Sequence, residues 1–134
     1  MTHTAEHEYA SWLERYRQAW IDRNADAAGP LFTEDAVYRE QPFQAPFVGR
    51  AAICDYWRTV TASQTRVELR YGRAVVDGRR VAVEWWANLE TTGGPLTLAG
   101  EFLLRFAESG ECRELREYWL LTQSRVEPPP GWGG

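Results

Sequence analysis

Apolar residues recur at two different periods along the chain, and the change of period divides it into two parts. As far as about residue 61 they recur mainly at three- and four-residue spacing, which is typical of one face of an amphipathic helix. From Thr65 onwards they alternate with polar residues, which is typical of half-buried strands. The pattern therefore predicts a mainly helical first part and a sheet-forming second part.

Two helices are predicted at the start of the chain. The first covers residues 6–23, and its apolar stripe consists of Tyr9, Trp12, Leu13, Tyr16, Ala19 and Trp20. Asn24 is placed to cap a short second helix, because its side chain can accept a hydrogen bond from a free backbone N–H of the first turn. Gly29 and Pro30 are expected to end this second helix.

A strand and a third helix complete the first part. Alternation predicts the strand over residues 35–41, and Pro42 and Pro46 are expected to turn the chain after it. The third helix is predicted over residues 49–61, with one apolar face made of Ile53, Trp57 and Val60.

Four long strands joined by tight turns are predicted in the second part. The strands cover residues 65–76, 81–90, 96–106 and 112–123. The turns between them are marked by Asp77-Gly78, Gly93-Gly94 and Ser109-Gly110. On the second of these strands one face consists of Val81, Val83, Trp85, Ala87 and Leu89.

This order of elements predicts an α+β fold. Three N-terminal helices pack on one face of a strongly curved mixed or antiparallel sheet, which wraps them into a cone with an internal pocket. Residues 1–124 are predicted to form a single domain. Residues 125–134 are rich in Pro and Gly and predict a flexible tail that is disordered or lies over a neighbour.

The composition excludes several kinds of catalysis. All 15 basic residues are arginines, so no lysine can form a Schiff base. Both histidines, His3 and His7, lie at the N-terminus, where a base or a zinc ligand is poorly held. Cys54 and Cys112 are expected to be free thiols. Catalysis would then depend on carboxylates, Tyr, Arg, Asn or backbone dipoles, and we expect neither a metal ion nor another cofactor.

Charge and hydropathy restrict the kinds of partner that the chain is expected to bind. The net charge is −4 and the arginines are scattered, which argues against nucleic acid and against an anionic membrane surface. No apolar stretch approaches the ~20 residues that a membrane span needs, and the polar N-terminus does not resemble a signal peptide. We therefore expect a cytoplasmic protein whose partner is a small molecule.

Three motifs carry a resemblance to a known family. One runs from Leu31 to Tyr38 and is followed by Pro42, the second is Gly49-Arg50-Ala51-Ala52-Ile53, and the third is Leu115-Arg116-Glu117-Tyr118-Trp119. They resemble the SnoaL-like branch of the nuclear transport factor 2-like superfamily, which groups ketosteroid isomerases, polyketide cyclases and limonene epoxide hydrolases. The resemblance covers roughly residues 6–124. It implies the fold, whereas the reaction is poorly specified because this fold hosts many chemistries.

The ketosteroid isomerase pattern is only partly present. The resemblance implies that Tyr16 takes the place of the oxyanion-donating tyrosine on the first helix. It places the general base at Glu40 or Gln41, depending on the alignment. The second oxyanion donor of those enzymes, a protonated Asp, is replaced here by Phe102. Half of that oxyanion hole is therefore missing.

The epoxide hydrolase pattern is also incomplete. Tyr38 and Glu40 match the Tyr and Asn positions on the first strand, and Glu117 matches the Asp position on the last strand. The Arg and Asp positions between them correspond to Trp85 and Ala87. The resemblance therefore lacks the carboxylate pair bridged by arginine that activates water in those enzymes.

Alternation predicts which side chains face the pocket. Glu40 is the candidate general base and Glu117 the partner acid, with Tyr16 or Tyr38 donating to a developing oxyanion. Burial among aromatic residues should raise the pKa of both carboxyl groups. The predicted substrate contacts are Trp20, Trp57, Val83, Trp85, Phe102, Leu104, Leu115 and Trp119.

Each assignment has a structural alternative. Tyr16 and Trp20 could be ordinary core residues of an apolar helix face. Glu40 could instead form an ion pair with an arginine, and the candidates are Arg39, Arg50 and Arg58.

Three functions remain open from the sequence. The first is a cofactor-independent enzyme of isomerase, cyclase or dehydratase type that acts on a hydrophobic or aromatic small molecule. The second is a non-catalytic binder of a hydrophobic or cationic small molecule. The third is a dimeric interaction module with a filled cavity. Glu84, Trp86 and Asn88 alternate onto the opposite face of the sheet and predict a homodimer surface there, with Trp86 exposed.

Overall fold

The computed structural model describes residues 2–134, and it describes side chains from Tyr9 onwards, so His3 and His7 lie outside the described side chains. Over this range the chain forms three α-helices, one short 3-10 helix and seven strands of a mixed sheet, which confirms the α+β prediction. The helices are α1 (Thr2–Ile21), α2 (Ala25–Ala28) and α3 (Arg50–Thr61), and the 3-10 helix is Gly29–Leu31. The strands are β1 (Phe32–Arg39), β2 (Phe47–Val48), β3 (Gln64–Tyr71), β4 (Val75–Asp77), β5 (Arg80–Thr91), β6 (Gly94–Phe106) and β7 (Cys112–Thr122).

The helices form where capping and apolar spacing predict them. The buried stripe of α1 consists of Tyr9, Trp12, Leu13, Tyr16 and Ala19. The Asn24 side chain accepts a hydrogen bond from the backbone N–H of Ala27 at 3.2 Å, which confirms the cap of α2. α2 ends at Ala28, directly before Gly29 and Pro30, as predicted, and the chain continues in a 3-10 helix whose first turn accommodates the proline. Among the described residues no helix combines the length and the hydropathy that crossing a membrane requires.

The sheet order is β2-β1-β7-β6-β5-β3, with β4 paired to β5. The pairing of β1 with β7 is parallel and the remaining pairings are antiparallel, which makes the sheet mixed. β1 begins at Phe32, three residues before the predicted start. β2 was not predicted from the sequence, because two residues are too short to show alternation.

The helices pack on the sheet face that alternation predicts to be apolar. Along β5 every second residue is buried, namely Val81, Val83, Trp85, Ala87 and Leu89. The indole of Trp12 holds α1 in place, since its Nε1 donates to the Leu31 carbonyl at 2.8 Å. The ring of Trp12 also meets the rings of Phe32 and Phe106 edge to face, with centroids 5.8 and 5.3 Å apart.

Residues 125–134, for which the composition predicts a flexible tail, lie against the outer face of the chain's own sheet. Trp86 Nε1 and Asn88 Nδ2 both donate to the Val126 carbonyl, at 2.9 and 3.0 Å. The Trp132 ring meets the Trp86 ring edge to face at 5.9 Å. These contacts explain why Trp86 is half-buried, where the sequence predicted an exposed anchor, and why Asn88 is buried.

The tail therefore occupies part of the predicted homodimer surface. Glu84 remains exposed on this face, whereas Trp86 and Asn88 already bind a segment of the same chain. A homodimer through this face stays a prediction. It would require the tail to be part of the interface or to move away from it.

Ending the chain at Ser124 should destabilise the domain. The truncation removes the acceptor of two hydrogen bonds and uncovers the Trp86 ring, so we expect the free energy of unfolding to fall by about 1–3 kcal/mol. Urea denaturation measures the loss, and the fluorescence emission of Trp86 should move to longer wavelength. The Trp132→Ala variant keeps the hydrogen bonds of Val126 and should lose less. An unchanged urea midpoint in the truncated chain would show that the tail contributes nothing to stability.

Candidate active site

A cavity of about 230 Å³ lies between α1, α3 and the inner face of the sheet. The structure brings the four predicted acid, base and hydroxyl residues to its wall, together with four of the predicted aromatic contacts. These eight residues are Tyr16, Tyr38, Glu40, Glu117, Trp20, Trp57, Trp85 and Trp119. The tryptophans line an open space rather than filling it. The other four predicted contacts, Val83, Phe102, Leu104 and Leu115, are buried in the core and do not line the cavity.

The register between β1 and β7 explains why two glutamates come together. Tyr38 lies beside Leu115 and Arg39 beside Arg116 in this parallel pair. Continuing the same register by one residue places Glu40 beside Glu117, on the same face as Tyr38 because side chains alternate. β1 ends at Arg39, so Glu40 stands just past the end of the strand. Trp119 Nε1 donates to the Glu40 carbonyl at 3.1 Å and holds this residue against β7.

Glu117 forms a row of hydrogen-bonding groups with two tyrosines. Its side chain belongs to a residue that is only 7% exposed, and its Oε1 accepts a hydrogen bond from the Tyr38 hydroxyl at 3.4 Å. The Tyr38 hydroxyl in turn is hydrogen-bonded to the Tyr16 hydroxyl at 2.9 Å. The row connects α1, β1 and β7 across one end of the cavity.

This environment keeps Glu117 protonated at neutral pH. Burial away from water raises the pKa of the Glu117 carboxyl group to about 8, and the nearby charge of Glu40 adds to the rise. The hydrogen bond from Tyr38 acts in the opposite direction and is the weaker influence. Burial also raises the pKa values of Tyr16 and Tyr38 far above their usual range, so both hydroxyl groups remain donors. The row is therefore neutral, and its protons stay on Tyr16, Tyr38 and Glu117.

No arginine of the described chain lines the cavity. The three arginines that could have paired with Glu40 bind other carboxylates instead. Arg39 lies 3.4 Å from Glu114, Arg50 lies 2.7 Å from Glu111, and Arg58 lies 2.7 Å from Asp26. The ion-pair alternative for Glu40 thus has no support from these three side chains.

Several residues that line or shape the site were not predicted from the sequence. Tyr56 lines the cavity and packs on Tyr38 with ring centroids 5.4 Å apart. It lies three residues after Ile53 on α3, so the helical spacing contained its signal. Gln64 also lines the cavity and accepts from Trp20 Nε1 at 2.9 Å. Gly100 lies at the centre of the sheet, where a β-carbon would come within 2.8 Å of both Trp85 and Trp119.

Within the described part of the chain no group of three or more His, Cys, Asp or Glu side chains could hold a metal ion. Cys54 and Cys112 are free thiols, as predicted. Burial raises the pKa of the Cys112 thiol, which favours an inert structural role.

A comparison with known protein families matches residues 13–115 to the SnoaL-like domain. The chain belongs to the SnoaL-like domain family. The match covers both α1 from Leu13 and the sheet as far as Leu115, so it includes Tyr16, Tyr38 and Glu40. A comparison with curated proteins finds no significant match.

Several solved structures share the fold of this SnoaL-like domain. A candidate scytalone dehydratase from Novosphingobium aromaticivorans is similar over 97% of this chain and 95% of its own, with a TM-score of 0.81 and 14% identity. SalBIII, an epoxide hydrolase/cyclase-like enzyme with a role in pyran ring formation in the polyether salinomycin, covers 92% and 98%, with a TM-score of 0.75 and 17% identity. A protein of ketosteroid isomerase-like fold from Catenulispora acidiphila, in complex with trimethylamine, covers 80% and 83%, with a TM-score of 0.72 and 24% identity. At these identities the likeness shows the fold alone.

The stability of this SnoaL-like domain should decrease as the pH rises towards 8. The folded chain holds a proton on Glu117 up to a pKa of about 8, whereas the unfolded chain releases it near the ordinary value of 4.5. Between these values unfolding releases a proton, so the free energy of unfolding falls by up to about 1.4 kcal/mol per pH unit. Urea denaturation between pH 5 and pH 8 measures this slope.

The Glu117→Gln variant should lose this pH dependence, because an amide does not titrate. The Glu101→Gln variant provides the matched control, since Glu101 is exposed on the outer face of the same sheet. We expect it to keep the slope of the unmodified chain. Equal slopes for both variants would contradict a raised pKa at Glu117.

Proposed function

We propose that this SnoaL-like domain is a cofactor-independent enzyme that transfers protons within a hydrophobic or aromatic small molecule, as an isomerase, cyclase or dehydratase. The observation that carries the proposal is the burial of Glu117 beside Glu40 in a cavity walled by aromatic residues, which raises the pKa of Glu117 to about 8. Two carboxyl groups in different environments can take the roles of acid and base at the same pH. The solved structures of a cyclase-like enzyme and of a candidate dehydratase support this class of reaction.

In the proposed step Glu40 is the general base. Its carboxylate removes a proton from a carbon next to a carbonyl group, and charge develops on the carbonyl oxygen. Tyr16 donates to Tyr38 and Tyr38 donates to Oε1 of Glu117, which leaves the acid proton of Glu117 free to face that oxygen. Preorganised donors in surroundings of low polarity stabilise such a charge strongly. In a dehydration the same proton passes to the departing hydroxyl group.

The size of the cavity limits the substrate. A cavity of about 150 Å³ is large enough to hold benzene. The volume of about 230 Å³ therefore fits one ring with substituents, held between Trp20, Trp57 and Trp119. A four-ring steroid is too large to be enclosed. This agrees with the presence of Phe102 where ketosteroid isomerases have a protonated Asp.

Substitution of either glutamate should abolish proton transfer while the fold survives. The assay follows deuterium uptake from D₂O into the α-carbon of small cyclic and aryl ketones by NMR. We expect exchange to fall at least about 100-fold in Glu40→Gln and in Glu117→Gln, because a positioned acid or base contributes about 10²–10⁴-fold. Exchange catalysed by the unmodified chain should also decline above about pH 8, where Glu117 loses its proton.

The Glu101→Gln variant is again the control, and it should exchange deuterium at the rate of the unmodified chain. Full activity in both Glu40→Gln and Glu117→Gln would show that these carboxyl groups do not perform the chemistry. Failure of the unmodified chain to accelerate exchange in any ketone of the panel would also count against the proposal.

A second candidate function is the binding of a small organic cation without turnover. The specific observation is that aromatic rings and the Glu40 carboxylate share the cavity wall, which is the arrangement that attracts ammonium groups. A relative of the same fold binds trimethylamine. Titration of tryptophan fluorescence with trimethylamine tests it: Glu40→Gln should weaken binding roughly tenfold. An equal response in that variant, or no response in the unmodified chain, would remove this candidate.

A further inference from the structure

A bulge at the start of β3 turns one polar side chain towards the cavity. Gln64 pairs with Thr91 of β5 and Arg66 pairs with Glu90, so β3 advances by two residues where β5 advances by one. Without this extra residue, alternation would place Gln64 on the outer face together with Arg66. With it, Gln64 lies beside Thr91 in the cavity wall. Re-aiming a side chain next to a site is a common role of such bulges.

The indole of Trp20 fixes the orientation of the Gln64 amide. Trp20 Nε1 donates to Gln64 Oε1 at 2.9 Å. An indole nitrogen can donate a hydrogen bond but cannot accept one, so the amide must present its oxygen to Trp20. The reversed amide would bring two donors face to face. The two N–H groups on Nε2 therefore point away from Trp20.

These two N–H groups are unpaired and accessible. Within the described part of the chain the Gln64 side chain forms no hydrogen bond besides the one from Trp20. Among the described side chains that are not exposed, the unpaired polar atom that is closed off from solvent is Trp85 Nε1, so Gln64 Nε2 is not enclosed. Gln64 is 9% exposed and belongs to the cavity wall, which makes the cavity the space from which a ligand can reach these donors.

The other polar side chains at this end of the cavity offer less to a ligand. Thr61 Oγ1 donates to the carbonyl one turn earlier on α3 at 2.7 Å. Thr91 Oγ1 donates to the Gly94 carbonyl at 2.8 Å and accepts from a backbone N–H of the same turn at 3.1 Å. Ser63 is exposed to bulk water, which competes with a ligand for its hydroxyl group. Gln64 is thus the buried side chain at this end that can still donate.

The two ends of the cavity have different chemistry. The row of hydroxyl groups that leads to Glu117 begins at Tyr16. Trp20, which holds the Gln64 amide, lies one turn further along α1, about 6 Å away. The wall between the two ends is largely aromatic and aliphatic. The cavity therefore has an acid and a base at one end and amide donors at the other.

We propose that the Gln64 amide binds a second oxygen of the substrate, so that the cavity selects a ring with an oxygen function at each end. This inference rests on the proposed function, since it names the substrate class of the same cavity. The reacting carbonyl or hydroxyl group lies at Glu117, and a carbonyl, hydroxyl or ether oxygen at the opposite end accepts from Gln64. An ammonium group cannot accept a hydrogen bond, so this end does not recognise a simple organic cation.

Two ketones that differ only at the far end test the inference without relying on turnover. 4-Methoxyacetophenone and 4-ethylacetophenone have nearly the same shape, but the second carries a CH₂ group where the first has its ether oxygen. Their dissociation constants are measured for the unmodified chain and for Gln64→Met, which keeps a long unbranched side chain and removes both donors. The ratio between the two probes should shift about five- to tenfold against the methoxy ketone in Gln64→Met.

Two variants serve as controls for this ratio. Trp20→Phe breaks the same hydrogen bond between Trp20 and Gln64 as Gln64→Met does, but it keeps the amide, so the preference for the methoxy ketone should persist. Thr91→Val removes a hydroxyl group from the same end of the cavity, one that is already bound within its turn, and should leave the ratio unchanged.

An NMR titration of the unmodified chain covers the case in which Gln64→Met fails to fold. 4-Methoxyacetophenone should move the side-chain amide protons of Gln64 downfield, whereas 4-ethylacetophenone and trimethylamine should not. Amide protons that stay in place when the methoxy ketone binds would overturn the inference.

A probe ratio that is the same in the unmodified chain and in Gln64→Met would also overturn it, as would the absence of binding by either ketone. The binding test and the deuterium-exchange test can fail separately. Loss of exchange in Glu40→Gln together with an unchanged ratio in Gln64→Met would uphold the proposed function and reject the amide contact. A shifted ratio in a chain that exchanges deuterium into no ketone would uphold the contact and reject the proton transfer.

Discussion

The parallel pairing of β1 with β7 is the constraint on which the candidate site depends. It joins the first strand of the chain to the last, and its register brings Glu40 alongside Glu117. The pairing stops at Arg39, so Glu40 follows the end of the strand and is not part of the ladder. Because the strand ends there, one glutamate lies half-exposed while the other is enclosed by tyrosines. Glu40 and Glu117 therefore differ in solvation because β1 ends just before Glu40.

That difference is maintained by the aromatic wall. A carboxyl group surrounded by rings has few ways to stabilise a negative charge, and the described cavity offers Glu117 no arginine. The Tyr38 hydroxyl donates a hydrogen bond to Glu117 and is itself hydrogen-bonded to the Tyr16 hydroxyl, but neither group carries a positive charge. Glu117 is therefore a neutral acid that still accepts a hydrogen bond. The tryptophans therefore influence the pKa of Glu117 through the low polarity of the space they enclose, in addition to any contact with a ligand.

Local periodicity was sufficient for much of the fold and for half of the site. The alternation on β5 predicted its buried face residue by residue, and the spacing on α1 placed Tyr16 on the inner stripe. Alternation, however, predicts only which face of the sheet a side chain lies on, and not whether its position along the strand is next to the cavity. Phe102 and Leu104 share the inward face with Trp85, yet the helices cover them and leave the cavity elsewhere. The pairing of β1 with β7 lay beyond prediction for a related reason, since it joins residues more than 70 positions apart.

The glycine at the centre of the sheet has a consequence for how this cavity can change in evolution. A β-carbon at position 100 would lie 2.8 Å from Trp85, 2.8 Å from Trp119 and 2.6 Å from the Tyr118 carbonyl. A smaller residue at position 85 would relieve only one of these contacts, because the Trp119 atom is its β-carbon and the Tyr118 atom is part of the backbone. Any larger residue at position 100 therefore requires β7 to move away from β6. The cavity can be reshaped by changing its tryptophans, whereas the glycine behind them is fixed by the spacing of the strands.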